Sequence, residues 1–201
     1  MQVVLASANA GKQREFAALL APYGIELLLQ TALGIESIEE TGATFAENAL
    51  LKAHHAARAA RLPALADDSG LEVDALRGAP GVRSARFAGA AASDADNNAL
   101  LLERLAGTAL PERTARYRCV LALVRGPDDA APLLAEGLWE GRIGLTPVGH
   151  GGFGYDPLFL PVGMSGTAAE LSLEVKNRQS HRALALAQLV TKVAAEFGRR
   201  P

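Results

Sequence analysis

The chain has 201 residues, 49% of them hydrophobic and 21% charged, and a formal net charge of -2. That is length and apolar content enough for one domain across 1–201, and the slight acidity argues against a general nucleic-acid binder, which carries a basic excess. No run of about 18 apolar residues is present to span a membrane, and Cys119 has no second cysteine to pair with, so a reducing, cytoplasmic setting is expected.

Taken in order, 2–7 reads as a buried strand, followed by a short loop and a helix over about 12–20 that Pro22 and Gly24 stop. A second strand is expected over 25–30. Thr44 and Glu47 have the spacing of a capping box, opening a helix that runs to about Arg61 before Pro63 breaks the chain ahead of a short strand at 64–66. Asp67-Asp68-Ser69-Gly70 ends that strand: the Ser-Gly step turns the backbone and leaves both carboxylates at the mouth of a sheet. Ser93 caps a helix over about 94–105. Two long strands, 115–124 and 133–143, flank the turn signal Gly126-Pro127-Asp128-Asp129. A glycine-dense loop occupies 149–157, and a helix over about 179–197 closes the chain. Strands and helices that alternate early, with a hairpin in the middle, predict an α/β fold: a mixed sheet with helices on its faces.

Several stretches carry residue types suited to chemistry. Ser7, Ala8, Asn9, Ala10, Gly11 and Lys12 join a strand to a helix N-terminus, where backbone N–H groups and a lysine favour an anion. The loop is not a Walker A motif, because Ala6 replaces its first glycine and Gln13 its Mg²⁺-binding hydroxyl. A polar helix start with an exposed lysine explains the same residues. Lysine is scarce, with Lys12, Lys52, Lys176 and Lys192 the only ones among 20 basic residues, and a compact ammonium suits a phosphate oxygen better than a planar guanidinium does.

Glu39 and Glu40 form a second acidic pair which, brought beside Asp67 and Asp68, makes a hard oxygen site for Mg²⁺; alone it is a solvated surface. Asn48 and Lys52 share a helix face. In the loop 149–157, Phe153 and Tyr155 stand between glycines, placed either to stack on a base or to anchor the turn. Lys176, His181 and Arg182 cluster around the start of the last helix. Such a donor set matches the carbonyl oxygens of an oxidised purine and leaves an adenine amino group unpaired.

In this order, Ser7-x-Asn9-x-x-Lys12, Glu39-Glu40-Thr41-Gly42-x-Thr44-Phe45-x-Glu47-Asn48-Ala49-x-x-Lys52-Ala53, Ala66-Asp67-Asp68-Ser69-Gly70-Leu71, Gly78-Ala79-Pro80-Gly81-Val82-x-Ser84-Ala85-Arg86, Gly151-Gly152-Phe153-Gly154-Tyr155-Asp156-Pro157 and Lys176-Asn177-x-x-Ser180-His181-Arg182 resemble the inosine/xanthosine triphosphate pyrophosphatase family, the HAM1-like NTPases. The bacterial XTP/dITP members are the most similar, over residues 2 to about 197.

The resemblance implies an elongated mixed β-sheet flanked by helices, with a two-lobed cleft. It also implies a homodimer, and Mg²⁺-dependent cleavage of ITP, dITP or XTP into the monophosphate and pyrophosphate, a house-cleaning of the nucleotide pool. Under it, Ser7 to Lys12 and Lys52 hold phosphate, and Glu39, Glu40 and Asp68 bind metal. Asp68 is the general base with Asp67 assisting, and Ser69 touches substrate. Phe153, Gly154, Tyr155, Asp156, Lys176, His181 and Arg182 surround base and sugar. Ser7 stands where threonine is common and Val175 where a charged residue is expected; neither removes a needed group. A Maf-like nucleotide pyrophosphatase and a non-catalytic nucleotide-binding protein are the alternatives.

Overall fold

The computed structural model describes residues 2–197; Met1 and 198–201, the ends of the expected domain, lie outside the described residues. In chain order the elements are β1 (Gln2–Leu5), α1 (Ala10–Leu20), β2 (Glu26–Leu29), α2 (Phe45–Ala60), β3 (Ala64–Val73), α3 (Asp94–Arg104), β4 (Thr114–Val124), β5 (Leu133–Ile143), β6 (Phe159–Pro161), α4 (Leu173–Gln179) and α5 (His181–Phe197). The strands form one sheet in the order β2-β1-β3-β4-β5-β6. β1 runs parallel to both β2 and β3, and β6 is antiparallel to β5. The sheet is therefore mixed, as the alternation of elements predicts. Among the described residues no helix is long and apolar enough to cross a membrane.

The chain divides into two compact units. The first comprises the residues up to Asp68, Cys119–Gly137 and those from Arg182 onward; the second comprises Ser69–Arg118 and Leu138–His181. Each has its own core. In the first, Leu5, Phe16, Leu65, Cys119, Leu121 and Leu186 pack together. Val3, Val4 and Leu5 are all buried, as a parallel strand covered on both faces requires. α2 starts at its Thr44 cap, whose hydroxyl accepts the Glu47 N–H, while Glu47 reaches back to the N–H of Ala43, one residue before the expected partner. Its buried stripe, Ala49, Ala53, Ala56 and Ala57, consists of small residues at helical spacing, which let the helix lie close against β1.

The second unit packs Leu71, Leu101, Leu105, Trp139, Ile143 and Phe159. α3 is capped at its start by a reciprocal Ser93–Asp96 box. Past its other end the buried Arg113 guanidinium donates to the carbonyls of Leu105 and Thr108, pinning the turn that leaves the helix.

Two expectations are corrected. β3 does not stop at Ala66 but runs through Asp67-Asp68-Ser69-Gly70 to Val73; the carboxylates have partners that let them stay in a buried strand. The closing helix is found as α5, beginning two residues after its expected start, but the stretch before it, where no helix is expected, forms α4, and Ser180 in an extended conformation (φ -69°, ψ 158°) separates the two.

Candidate active site

Successive side chains of a strand leave on opposite faces, and Asp67 and Asp68 of β3 accordingly have different partners. Asp67, 1% exposed, binds Lys12 Nζ of α1 at 2.7 Å. Burial works against its carboxylate, but Lys12, Lys52 and Arg182 outweigh that and hold its pKa at about 2. Asp68 accepts a hydrogen bond from Asn48 Nδ2 of α2 at 3.0 Å and lies 3.7 Å from Lys52 Nζ. Burial pushes Asp68 above its ordinary pKa and Glu40 adds to the effect, while Lys52, Lys12 and Asn48 offset it only in part. One face thus holds a carboxylate that stays ionised against a lysine, the other a carboxylate more ready to take a proton.

Asn48 shares the Lys52 face of α2, and both meet Asp68. Asn48 is fully buried, and while its Nδ2 serves Asp68, its Oδ1 accepts the Gly42 N–H at 2.7 Å. One side chain therefore ties the loop after Glu39-Glu40 to the carboxylate of Asp68. Lys52 makes a second tie, its Nζ meeting Glu40 at 2.5 Å. Burial disfavours this ammonium, yet the charges of Asp67, Asp68 and Glu40 raise its pKa.

Glu40 and Asp68 already converge on one cation, and both offer hard oxygens, the donor set that Mg²⁺ takes alongside water and phosphate. The residues fit the ion the resemblance implies. Glu39 is exposed, and among the described residues no three His, Cys, Asp or Glu side chains gather as a metal-binding group. A bound ion would complete its shell from solvent and substrate.

The N-terminal loop follows its predicted form. Asn9 caps α1, its Oδ1 accepting the Lys12 N–H at 3.0 Å. Ser7 Oγ accepts the Asn9 N–H, and Ala8, Asn9 and Ala10 are exposed. The first N–H groups of α1 have no carbonyl within the helix to bond. Arg182, the second residue of α5, places its guanidinium 2.8 Å from Glu15 of α1, both side chains buried.

In the second unit, Phe153 to Asp156 form a loop secured residue by residue. Asp156 Oδ2 accepts the Phe153 N–H at 3.1 Å and Lys176 Nζ at 2.7 Å, and that ammonium stands 6.0 Å from the centre of the Phe153 ring. Gly154 gives its N–H to Asp94 Oδ2 at 2.6 Å and receives Asn98 Nδ2 at its carbonyl at 2.9 Å. Tyr155, 3% exposed, donates its hydroxyl to the Ser84 carbonyl; burial and the nearby Asp94 push its pKa up. Gly152 (φ +76°) has no room for a side chain, because a Cβ there would stand 2.0 Å from Asp156 Oδ2. His181 stacks on Tyr117 with ring centres 4.7 Å apart. Ser69 is half-buried in β3. The three basic residues expected to converge have separate partners: Lys176 has Asp156, Arg182 has Glu15, and His181 has an aromatic face.

The Ham1 family model matches residues 3–192. A dITP/XTP pyrophosphatase of Methylococcus capsulatus is 57% identical over 197 residues, which cover 98% of this chain and 98% of its own. One of Bordetella pertussis is 59% identical over 197 residues, 96% of this chain and 92% of its own. Among solved structures, a HAM1 protein from Coxiella burnetii superposes with a TM-score of 0.88 at 47% identity, over 97% of this chain and 99% of that one. The chain belongs to the Ham1 family.

Proposed function

We propose that this chain hydrolyses non-canonical purine nucleoside triphosphates (ITP, dITP and XTP) to the monophosphate and pyrophosphate, with Mg²⁺, and so clears them from the nucleotide pool. Family membership and the names of the relatives support the reaction. The observation that carries it on this chain is Asp68, held by Asn48 and Lys52 beside Glu40.

Splitting a phosphoanhydride needs a nucleophilic water, a group to take its proton and cations to spread the charge that builds on phosphate oxygens. Asp68 takes the proton. Lys12 and Lys52, with the N–H groups at the start of α1, bind the phosphates. Glu40 and Asp68, with Glu39, would hold Mg²⁺, which when bound would neutralise the triphosphate and make water more acidic. Asp67 stays ionised and keeps Lys12 in place, and Ser69 contacts substrate. Phe153 offers a flat face to the purine, Lys176, His181 and Arg182 supply donors, and Gly154, Tyr155 and Asp156 shape the loop. By family likeness the protein works as a cytoplasmic homodimer, which light scattering on the purified chain tests.

The experiment is a pyrophosphate-release assay over ITP, dITP, XTP, ATP and GTP, with and without Mg²⁺. Release from the oxidised purines alone supports the reading; turnover of ATP or GTP at similar rates favours a Maf-like specificity, and binding without turnover a non-catalytic protein. Asp68→Asn is expected to lower kcat by about a thousandfold while nucleotide affinity stays within about threefold. Near-normal turnover in that variant removes Asp68 as the base.

A further inference from the structure

We propose that Asp94 and Asn98 of α3 are positioning residues for base recognition, holding both polar groups of the Gly154 backbone and thereby setting the stance of the Phe153 ring. The inference rests on the functional reading above, in which Phe153 meets the purine. Residues four apart on a helix share one face, so a single side of α3 presents an acceptor and a donor. Asp94 Oδ2 takes the Gly154 N–H at 2.6 Å, and Asn98 Nδ2 reaches the Gly154 carbonyl at 2.9 Å. The two bonds span 60 and 56 residues of sequence. They belong to a tertiary arrangement rather than to the local turn.

Gly154 needs holding, because its φ of +63° lies where the neighbouring backbone gains no strand or helix bonds of its own. With its N–H and carbonyl both engaged, the peptide planes on either side of it cannot rotate, and Phe153 is the side chain they carry. Other ties act on the flanks: Asp156 takes the Phe153 N–H and gives its own N–H to the Phe153 carbonyl, and the Ser84 carbonyl takes the Tyr155 hydroxyl. α3 is a firm base for this work, capped by Ser93, followed by a turn that Arg113 pins and sunk into the core through Leu101 and Leu105. A recognition group is only as well placed as the element behind it.

The consequence falls on discrimination. A site rejects a near analogue by leaving its polar group without a partner, which works only while the platform cannot shift to accommodate it. Loosening Gly154 weakens the grip on the base and the preference for oxidised purines. The phosphate chemistry of Asp68, Lys12 and Lys52, carried by β3, α1 and α2, is left intact.

The test compares the wild type with Asp94→Ala, Asp94→Asn and Asn98→Ala in ITP and ATP hydrolysis, together with hydrogen exchange of 150–157 in the free protein. Asp94→Ala and Asn98→Ala are expected to raise KM for ITP about tenfold with kcat within about twofold, to reduce the ITP-over-ATP preference, and to speed exchange of the loop. Asp94→Asn keeps an acceptor for the Gly154 N–H and restores KM. Asp94 is exposed at the first turn of α3, so its variants fold even if the buried Asn98→Ala does not. KM within about twofold of wild type in Asp94→Ala, or Asp94→Asn as impaired as Asp94→Ala, overturns the proposal. A wild type that releases no pyrophosphate from ITP defeats the functional reading itself, whereas an active wild type with unchanged variants defeats only the positioning role.

Discussion

The two units secure their candidate residues by different means. In the first, Lys12, Lys52, Asp67, Asp68 and Arg182 stand on helices and a strand and are held charge against charge. In the second, Phe153 to Asp156 form a glycine-rich loop, held mostly by side chains that bond its backbone. Under the proposed function, the difference follows from what each would handle. Triphosphate charge calls for cations and carboxylates at set spacings, and regular elements provide them because their own backbones are already satisfied. A flat base calls for an aromatic surface approached closely, which a loop can offer once it is tied down from outside. Arg182–Glu15 in the first unit and Lys176–Asp156 in the second are both ion pairs with buried side chains.

The contrast breaks hardest at Arg182. Arg182→Ala strands the Glu15 carboxylate in the interior, and urea unfolding should show a loss of about 3–5 kcal/mol. The double variant Glu15→Leu/Arg182→Met should recover most of it, since removing both charges leaves none stranded. Its KM for ITP then separates the structural duty of Arg182 from a base-reading one: an unchanged KM leaves Arg182 the structural duty.

Gly152→Ala tests the loop in the same way. The backbone at φ +76° disfavours a side chain, and the new Cβ meets Asp156 Oδ2, so the Asp156–Lys176 pair must yield. Thermal or urea unfolding should register about 2–3 kcal/mol, with KM for ITP rising alongside. A variant as stable as wild type would mean the loop relaxes freely, against the picture of a loop held at every residue.

Acid gives the smallest effect. The Asp67 pKa is about 2 in the folded chain against an ordinary 3.8, so the folded state takes up this proton at lower pH than the unfolded one. Its contribution is complete above about pH 4 and disappears as pH falls towards 2, about 2 kcal/mol in all. Asp67→Asn should flatten that limb of the stability-against-pH curve; an unaltered slope would detach Lys12 from Asp67.

Local chemistry made much of the fold legible. The caps are where the sequence puts them, Thr44 by its capping-box spacing with Glu47 and Ser93 by its hydroxyl, and the two long strands and the first two helices differ from their predicted bounds by two residues or fewer. Asp-Asp-Ser-Gly read as a turn because those residues favour one in isolation. Its place inside β3 depends on Lys12 and Lys52, which arrive from separate helices, and no local window contains all of them. α4 went unseen for a related reason: it is seven residues long, too short for a periodic signal, and its Ser172 cap stands in a polar stretch where many residues could serve. The candidate site was legible as a list of residue types in order, not as pairings. That Arg182 faces Glu15, that Asn48 bridges Gly42 and Asp68, and that α3 grips Gly154 are contacts between distant segments.

Cys119 gives the molecule a property independent of its chemistry on nucleotides. Its thiol is fully buried in β4, and burial foremost, with Asp67 adding, pushes its pKa far up. A thiol must ionise to attack a disulfide reagent, so the folded chain is inert to one and labelling proceeds only when the core around Phe16 and Leu121 opens. The rate of that labelling under native conditions is thus a clock for opening of the first unit. Since Cys119 is the only cysteine in the sequence, the clock needs no added probe.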